Sequence, residues 1–223
     1  MNFPVSAKLI AITQPMIGVP ASDAEKLISY CARVSSGLPK EDRGKDAEGL
    51  LKYCIRNKHW SIFEMANAVV EVEAPRDISR QLLRHRSFSF QEFSQRYSDD
   101  IEFVYRQIRS QDNKNRQNSI DNFSEDEQQE WDDDLSIVEQ AVTQLYNKWR
   151  EKDGAKECVR VVLPEGLTMS RLYVNGTIRS WLHYLEVREG NGTQLEHIAL
   201  ANEIHKALEP ALPTIFGAFY NNG

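Results

Sequence analysis

Apolar and polar residues alternate along Asn67–Glu73, with Ala68, Val70 and Val72 on one face and Asn67, Glu71 and Glu73 on the other, interrupted only by Val69. A period of two marks a half-buried strand. Ala7–Thr13 is a short apolar stretch ending near Pro15 and reads as a first strand, and Thr168–Val174 suits another. Elsewhere the period is helical. Ser22 or Asp23 can cap a helix in which Ala24, Leu27, Ile28 and Cys31 share a face, and a second helix is expected over Asp46–Lys58. Pro75 stands at the natural first position of a helix over Arg76–Arg86, with Ile78, Leu82 and His85 along one side. Ser124 and Glu127 form a capping-box pattern ahead of Leu135, Val138, Val142, Leu145 and Trp149, an amphipathic helix ending by Gly154. A shorter helix should run from Ala155 to about Val162, stopped by Pro164. Ile178–Val187 reads as a helix with Ile178, Trp181, Leu182 and Leu185 inward, and Thr193 with Glu196 makes another capping box. Between these elements Asp99–Glu130 is polar, rich in Asn, Gln, Asp and Ser, and reads as a long excursion or partly ordered loop.

These elements predict one α+β domain over residues 1–223, a mostly antiparallel sheet packed against long helices. No GxGxxG follows a strand, so no Rossmann fold is expected. A length of 223 residues lets one domain bury a sizeable core. The chain shows no basic region followed by an apolar run at its start and no run of 18 apolar residues, so neither export nor a membrane span is expected. Cys31, Cys54 and Cys158 show no CxxC spacing, which fits reduced, buried thiols in the cytoplasm. A net charge of −6 disfavours a nucleic-acid partner. The five His include no HxH or HExxH pattern, and no metal is expected.

The arginines change the picture. Arg76, Arg80, Arg84, Arg86, Arg96, Arg106 and Arg109 fall close together, and arginine is suited to bidentate capture of phosphate or carboxylate. The segment Arg84-His85-Arg86-Ser87-Phe88-Ser89-Phe90-Gln91-Glu92-Phe93-Ser94-Gln95-Arg96-Tyr97 interleaves cations and hydroxyls with aromatic residues. Aromatic residues draw the segment inward, and buried guanidinium groups need carboxylates or ligand anions to answer them. Glu92 alone cannot do so. The segment is either an anion site or a structural cluster of ion pairs.

Arg84-His85-Arg86, followed by seven residues and then Ser94, resembles the signature of the flavin-dependent thymidylate synthases, the thymidylate synthase-complementing protein family. Gln81, Ser89, Glu92, Arg96 and Tyr97 are similar to the family's surrounding pattern. So are the blocks Ala32-Arg33-Val34-Ser35, His59-Trp60-Ser61-Ile62-Phe63-Glu64, Arg160-Val161-Val162-Leu163-Pro164 and Asn175–Arg188, in that order along the chain. The resemblance implies conversion of dUMP to dTMP by a cytoplasmic homotetramer with shared sites. It also implies FAD as cofactor, with NADPH and 5,10-methylenetetrahydrofolate as co-substrates.

Residue by residue, it places dUMP on Gln81, Arg84, Glu92, Phe93, Ser94, Gln95, Arg96, Arg160 and Arg188. Ser94, Arg96 and the Phe93–Arg96 backbone amides would take the phosphate. It places FAD on Ser35, Ser61, Arg84, His85, Arg86, Glu92, Thr177, Arg179 and His183. The family commonly has Asn where this chain has Thr177 and His183. Gln81 and Arg84 would share one helix face, as would Arg179 and His183 opposite Trp181, Leu182 and Leu185. Arg188 is the expected catalytic residue, a cation beside the uracil imide that favours negative charge on the ring. No thiol need attack, since none of the three Cys lies beside a His or in these blocks. Two other readings have their own signatures. A plain flavin reductase would never need dUMP, and an arginine-rich RNA- or nucleotide-binding module would bind with a steep salt dependence.

Overall fold

In the computed structural model, which describes residues 3–190 and 192–221, the elements follow one another as β1 (Ser6–Ile12), α1 (Ala24–Ala32) and α2 (Ala47–Arg56), then β2 (Asn67–Pro75) running directly into α3 (Arg76–Leu82). The short β3 (Ser89–Glu92) and a small hairpin of β4 (Ser110–Gln111) and β5 (Ser119–Ile120) precede the long α4 (Glu125–Arg150) and α5 (Lys156–Val159). A second strand-to-helix unit, β6 (Met169–Thr177) into α6 (Ile178–Arg188), leads to α7 (Leu195–Leu208) and α8 (Pro213–Tyr220). Four strands form an antiparallel sheet in the order β1-β2-β6-β3. This is the α+β architecture that the pattern predicts.

The alternation in β2 decides where the core lies. Val70 faces Val174 and Val72 faces Leu172 across the β2–β6 ladder, and all four are fully buried. Trp181, Leu182 and Leu185 of α6 and Leu200, Ala201 and Ile204 of α7 belong to the same buried cluster. The Trp181 indole N–H donates to the Ala68 carbonyl at 3.2 Å, so its one polar atom is satisfied where its ring is dry. Ala68 pairs with Gly176. A side chain at Gly176 would overlap the Phe88 ring, so the absence of a Cβ there is what lets Phe88 lie against the sheet. Three helix starts are capped as their residue types dictate. Asp23 accepts from the Lys26 amide at 2.8 Å, Ser124 and Glu127 form a reciprocal capping box, and Thr177 accepts from the Ser180 amide at 3.1 Å.

Several expectations are corrected. Pro75 is the last residue of β2, paired with Met169, and the helix begins one residue later at Arg76. α3 stops at Leu82 rather than Arg86, so Gln81 and Arg84 share no helix face. The chain instead turns through His85 N–H to Leu82 O and Phe88 N–H to His85 O, and this turn delivers the Phe88 ring to the core beside Trp181. Thr193 and Glu196 form no capping box. Gln194 precedes α7 without a side-chain cap, the Thr193 hydroxyl donates to Val187 O, and the Glu196 carboxylate is taken by Arg109 at 2.6 Å. Cys54 is buried, but Cys31 is only half-buried and Cys158 is exposed.

The polar excursion is tied to the start of α4. Gln128 accepts from the Ile108 amide and donates to its carbonyl, Trp131 donates to Arg106 O, and Tyr105 donates to Glu139. α4 itself begins inside the expected loop, at Glu125. It buries only Leu135 and Tyr146, whereas Ile137, Val138, Leu145 and Trp149 are exposed. No described helix is long and apolar enough to cross a membrane.

Candidate active site

Five of the seven clustered arginines are answered by carboxylates. Arg76 reaches Glu92 at 3.5 Å, Arg96 reaches Glu157 at 3.0 Å, Arg106 reaches Asp77 at 3.0 Å, Arg109 reaches Glu196 at 2.6 Å, and Arg80 pairs with Glu165. Arg84 and Arg86 have no carboxylate partner among the described residues and are exposed. The alternatives left open by the sequence therefore separate by residue. Most of the cluster is paired within the fold, and Arg84 and Arg86 are not.

His85, in the turn after α3, faces Arg188 at the end of α6. The Arg188 Nε donates to His85 Nε2 at 2.9 Å, and its terminal nitrogen donates to the Gln81 carbonyl at 3.4 Å. Both acceptors are neutral. Burial, then the guanidinium of Arg188, then His183 and Arg84, push the His85 pKa down to about 4, so at neutral pH its Nε2 keeps the lone pair that Arg188 uses. Burial and the nearby Arg84 also lower the pKa of Arg188. A half-buried cation is thus oriented by neutral acceptors, with no carboxylate among the described residues to absorb its charge.

Glu92 accepts from the Ser170 hydroxyl at 3.0 Å and lies by Arg76, so its carboxylate is already engaged across β3 and β6. After it, the Phe93 amide donates to Arg171 O at 2.8 Å. Ser94 closes a turn in which its hydroxyl accepts from the Arg96 amide at 3.3 Å, and Gln95 is buried. Glu157 of α5 holds the Arg96 guanidinium three residues ahead of Arg160, which lies half-buried in a 3-10 turn. Both members of the Arg96–Glu157 pair are more than half exposed, a geometry in which an ion pair stabilises little and is readily exchanged.

On the outer face of α6, Arg179 and His183 line a cleft of about 370 Å³ with Trp60, Glu64, Ser87, Ser180, Leu182, Glu186 and Phe219. Arg179 donates to Glu64 at 2.9 Å, and Trp181 and Leu185 are buried in the core away from it, as the helix face predicts, whereas Leu182, also buried, reaches the wall of the cleft. Ser61 is exposed on the 3-10 turn that carries Trp60 and Glu64. Thr177 caps α6, with its hydroxyl engaged by Ser180. Ser35 ends a 3-10 turn after α1, exposed and joined to neither group by a hydrogen bond.

The structure therefore gathers Gln81, His85 and Arg188, sets Arg84 beside them, and joins Arg96 to the segment of Arg160. Sequence patterning alone does not single out Tyr184 or Gln194, and it places His197 only among the five histidines that lack a metal-binding spacing. His197 lies fully buried on the same face of α7 as Leu200, Ala201 and Ile204. A histidine on an apolar stripe is the signal that could have found it.

The family model described as thymidylate synthase complementing protein matches residues 18–214. A protein of Paramecium bursaria Chlorella virus 1, named a probable flavin-dependent thymidylate synthase, is 50% identical over 213 residues, which is 95% of this chain and 97% of that one. The flavin-dependent thymidylate synthase of Synechocystis is 44% identical over 217 residues, covering 96% and 99% of the two chains. Among solved structures, the UMP/dUMP methylase PolB from Streptomyces cacaoi, bound with 5-Br dUMP, superposes with a TM-score of 0.81 over 99% of this chain and 96% of that chain at 24% identity, a shared fold. By its matched length and by these relatives, the chain belongs to the thymidylate synthase complementing protein family.

Proposed function

We propose that this protein is a flavin-dependent thymidylate synthase, a methyltransferase that converts dUMP to dTMP with 5,10-methylenetetrahydrofolate as carbon donor and NADPH as reductant. The observation that carries the reading is Arg188, a partly buried guanidinium aimed by His85 and the Gln81 carbonyl and, among the described residues, left without a carboxylate partner. Beside a uracil imide, such a cation favours negative charge on the ring and so raises electron density at the carbon that gains the methyl group. No cysteine nucleophile is required. Arg96, Arg160 and the Ser94 turn suit the nucleotide phosphate, because the exposed Arg96–Glu157 pair can yield its guanidinium to a dianion.

The residues fit FAD. Arg84 and Arg86 offer unanswered guanidinium groups for a diphosphate, and the cleft of Trp60, Ser87, Arg179 and His183 offers an apolar wall with polar ends. When bound, FAD supplies hydride equivalents drawn from NADPH, which this chain's side chains alone cannot provide. The protein's own contribution is to bind, orient and polarise. A cleft of about 370 Å³ is smaller than a dinucleotide needs, and the apolar face of α4 is uncovered, which supports self-association to a homotetramer with shared sites.

The test is an absorbance spectrum of the purified protein, followed by NADPH oxidation and dTMP formation with and without dUMP and methylenetetrahydrofolate. The expected result is bound flavin and dTMP only when both substrates are present. Flavin with NADPH oxidation but no dTMP would make the protein a reductase. No flavin after FAD is added would overturn the reading altogether.

A further inference from the structure

Behind Arg188 and His85 a chain of hydrogen bonds ties Gln81 to Tyr184, His197 and Gln194, residues that neither the active-site motif nor the proposed reaction uses. The Tyr184 hydroxyl lies 3.1 Å from His197 Nε2, His197 Nδ1 lies 3.1 Å from Gln81 Oε1, and Gln81 Nε2 lies 2.8 Å from Gln194 Oε1. Tyr184 and His197 are fully buried. Among the described residues, His197 is the only hydrogen-bond partner of the Tyr184 hydroxyl.

That single partner sets the direction of the whole chain. The phenol proton must be donated somewhere, and a buried hydroxyl that leaves its proton unpaired is destabilising. Tyr184 therefore donates to His197 Nε2, which must be the bare nitrogen of the ring. A neutral imidazole carries its one proton on the other nitrogen, so Nδ1–H donates to Gln81. The oxygen of the Gln81 amide must then face His197 and its nitrogen must face Gln194. The opposite amide orientation would oppose two donors at His197. Burial, with Arg188 and His85 nearby, holds the His197 pKa down at about 3, which keeps the ring neutral and the direction intact across the physiological range.

We propose that His197, oriented by Tyr184, is a positioning residue that locks the side-chain amide of Gln81 in one orientation and thereby fixes which hydrogen-bonding atom Gln81 turns toward the nucleotide. This rests on the reading of Gln81 as a dUMP contact. Each amide atom of Gln81 has one bond to its neighbours, leaving one lone pair on the oxygen and one N–H on the nitrogen with assigned places. The same Tyr184 ring packs edge-on against His85, with centroids 5.0 Å apart, so one side chain braces both the amide of Gln81 and the imidazole that aims Arg188.

The test uses the whole protein with FAD, its ¹⁵N-histidine spectrum and steady-state kinetics in dUMP. The expected spectrum has His197 as the Nδ1–H tautomer. Tyr184→Phe removes the directing proton and should mix the tautomers, raise the KM for dUMP about five- to tenfold and leave kcat within about twofold. His197→Asn keeps a donor near the Nδ1 position and should hold KM closer to the parent than His197→Leu does. A His197 ring found as the Nε2–H tautomer, or Tyr184→Phe with unchanged tautomer and unchanged KM, would overturn the proposal. Gln81→Leu separates the two layers. If it leaves the KM for dUMP unchanged while His197 shows the expected tautomer, the reading of Gln81 as a nucleotide contact fails and the positioning proposal fails with it, although the relay itself stands.

Discussion

At Arg188 the surroundings remove water from a cation without giving it a carboxylate, and the two atoms that hold it are a histidine lone pair and a backbone carbonyl. Removing such a preorganised charge where negative charge develops slows reactions by about 10²- to 10³-fold. Arg188→Ala should therefore bind FAD nearly as the parent does, read by flavin absorbance after gel filtration, yet lose dTMP formation by that factor. A folded protein with Cys31, Cys54 and Cys158 all changed to Ala should keep making dTMP. Loss of activity in that protein would instead put a thiol in the chemistry. The RHR triplet and Ser94 were legible because they lie within one short segment, where spacing is itself a signal. Tyr184, His197 and Gln194 were not legible, because their bonds to one another and to Gln81 span up to 116 residues and are arranged only by the packing of α6 and α7.

For the elements, the sequence is most legible where one local rule decides and least where a distant partner competes. β2 and α6 follow from their periods, since each has one face against the core. α3 keeps a helical period past its end, but the core needs Phe88 beside Gly176 and Trp181, so the helix gives way to a turn. The capping box at Thr193 fails because Arg109, 87 residues earlier than Glu196, offers that carboxylate a buried ion pair. α4 obeys its period yet exposes the face that the period predicts to be covered. Val138, Leu145 and Trp149 on that face are each more than 40% exposed, although Leu135 is buried. A charge introduced into such a face leaves the monomer's core untouched and disrupts association. Trp149→Glu with Leu145→Glu should keep the circular-dichroism spectrum and lower the mass measured by light scattering. An unchanged mass would mean that this face is not the contact between subunits.

Across the whole molecule, a net charge of −6 coexists with a small region of unanswered cations, and the ion pairs sort the arginines into two kinds. Two histidines with lowered pKa values, the half-buried His85 and the buried His197, add a pH dependence of known sign. His85 and His197 have native pKa values near 4 and 3, below the usual value of 6.5, so between pH 6.5 and 4 the unfolded chain takes up protons that the native chain refuses. Stability is therefore full above that window and falls as pH drops through it. His197 alone contributes up to about 2 kcal/mol between pH 6.5 and 5. Urea midpoints at pH 7.5, 6 and 5 should decline, and His197→Leu should flatten the decline. The arginines give the complementary contrast between folding and binding. The Arg109–Glu196 pair is nearly dry, with side chains 8% and 2% exposed, so Arg109→Gln strands a buried carboxylate and should destabilise the fold by about 3–5 kcal/mol. Among the described residues Arg84 and Arg86 form no ion pair, and removing Arg84 relieves its repulsion with Arg188. Arg84→Gln and Arg86→Gln should therefore leave the urea midpoint unchanged or slightly raised. Each should weaken FAD binding about tenfold or more in a fluorescence titration, the loss expected for one charge-assisted hydrogen bond. A glutamine variant at either position that unfolds more easily and holds FAD as tightly as the parent would return that arginine to the structural class of Arg109.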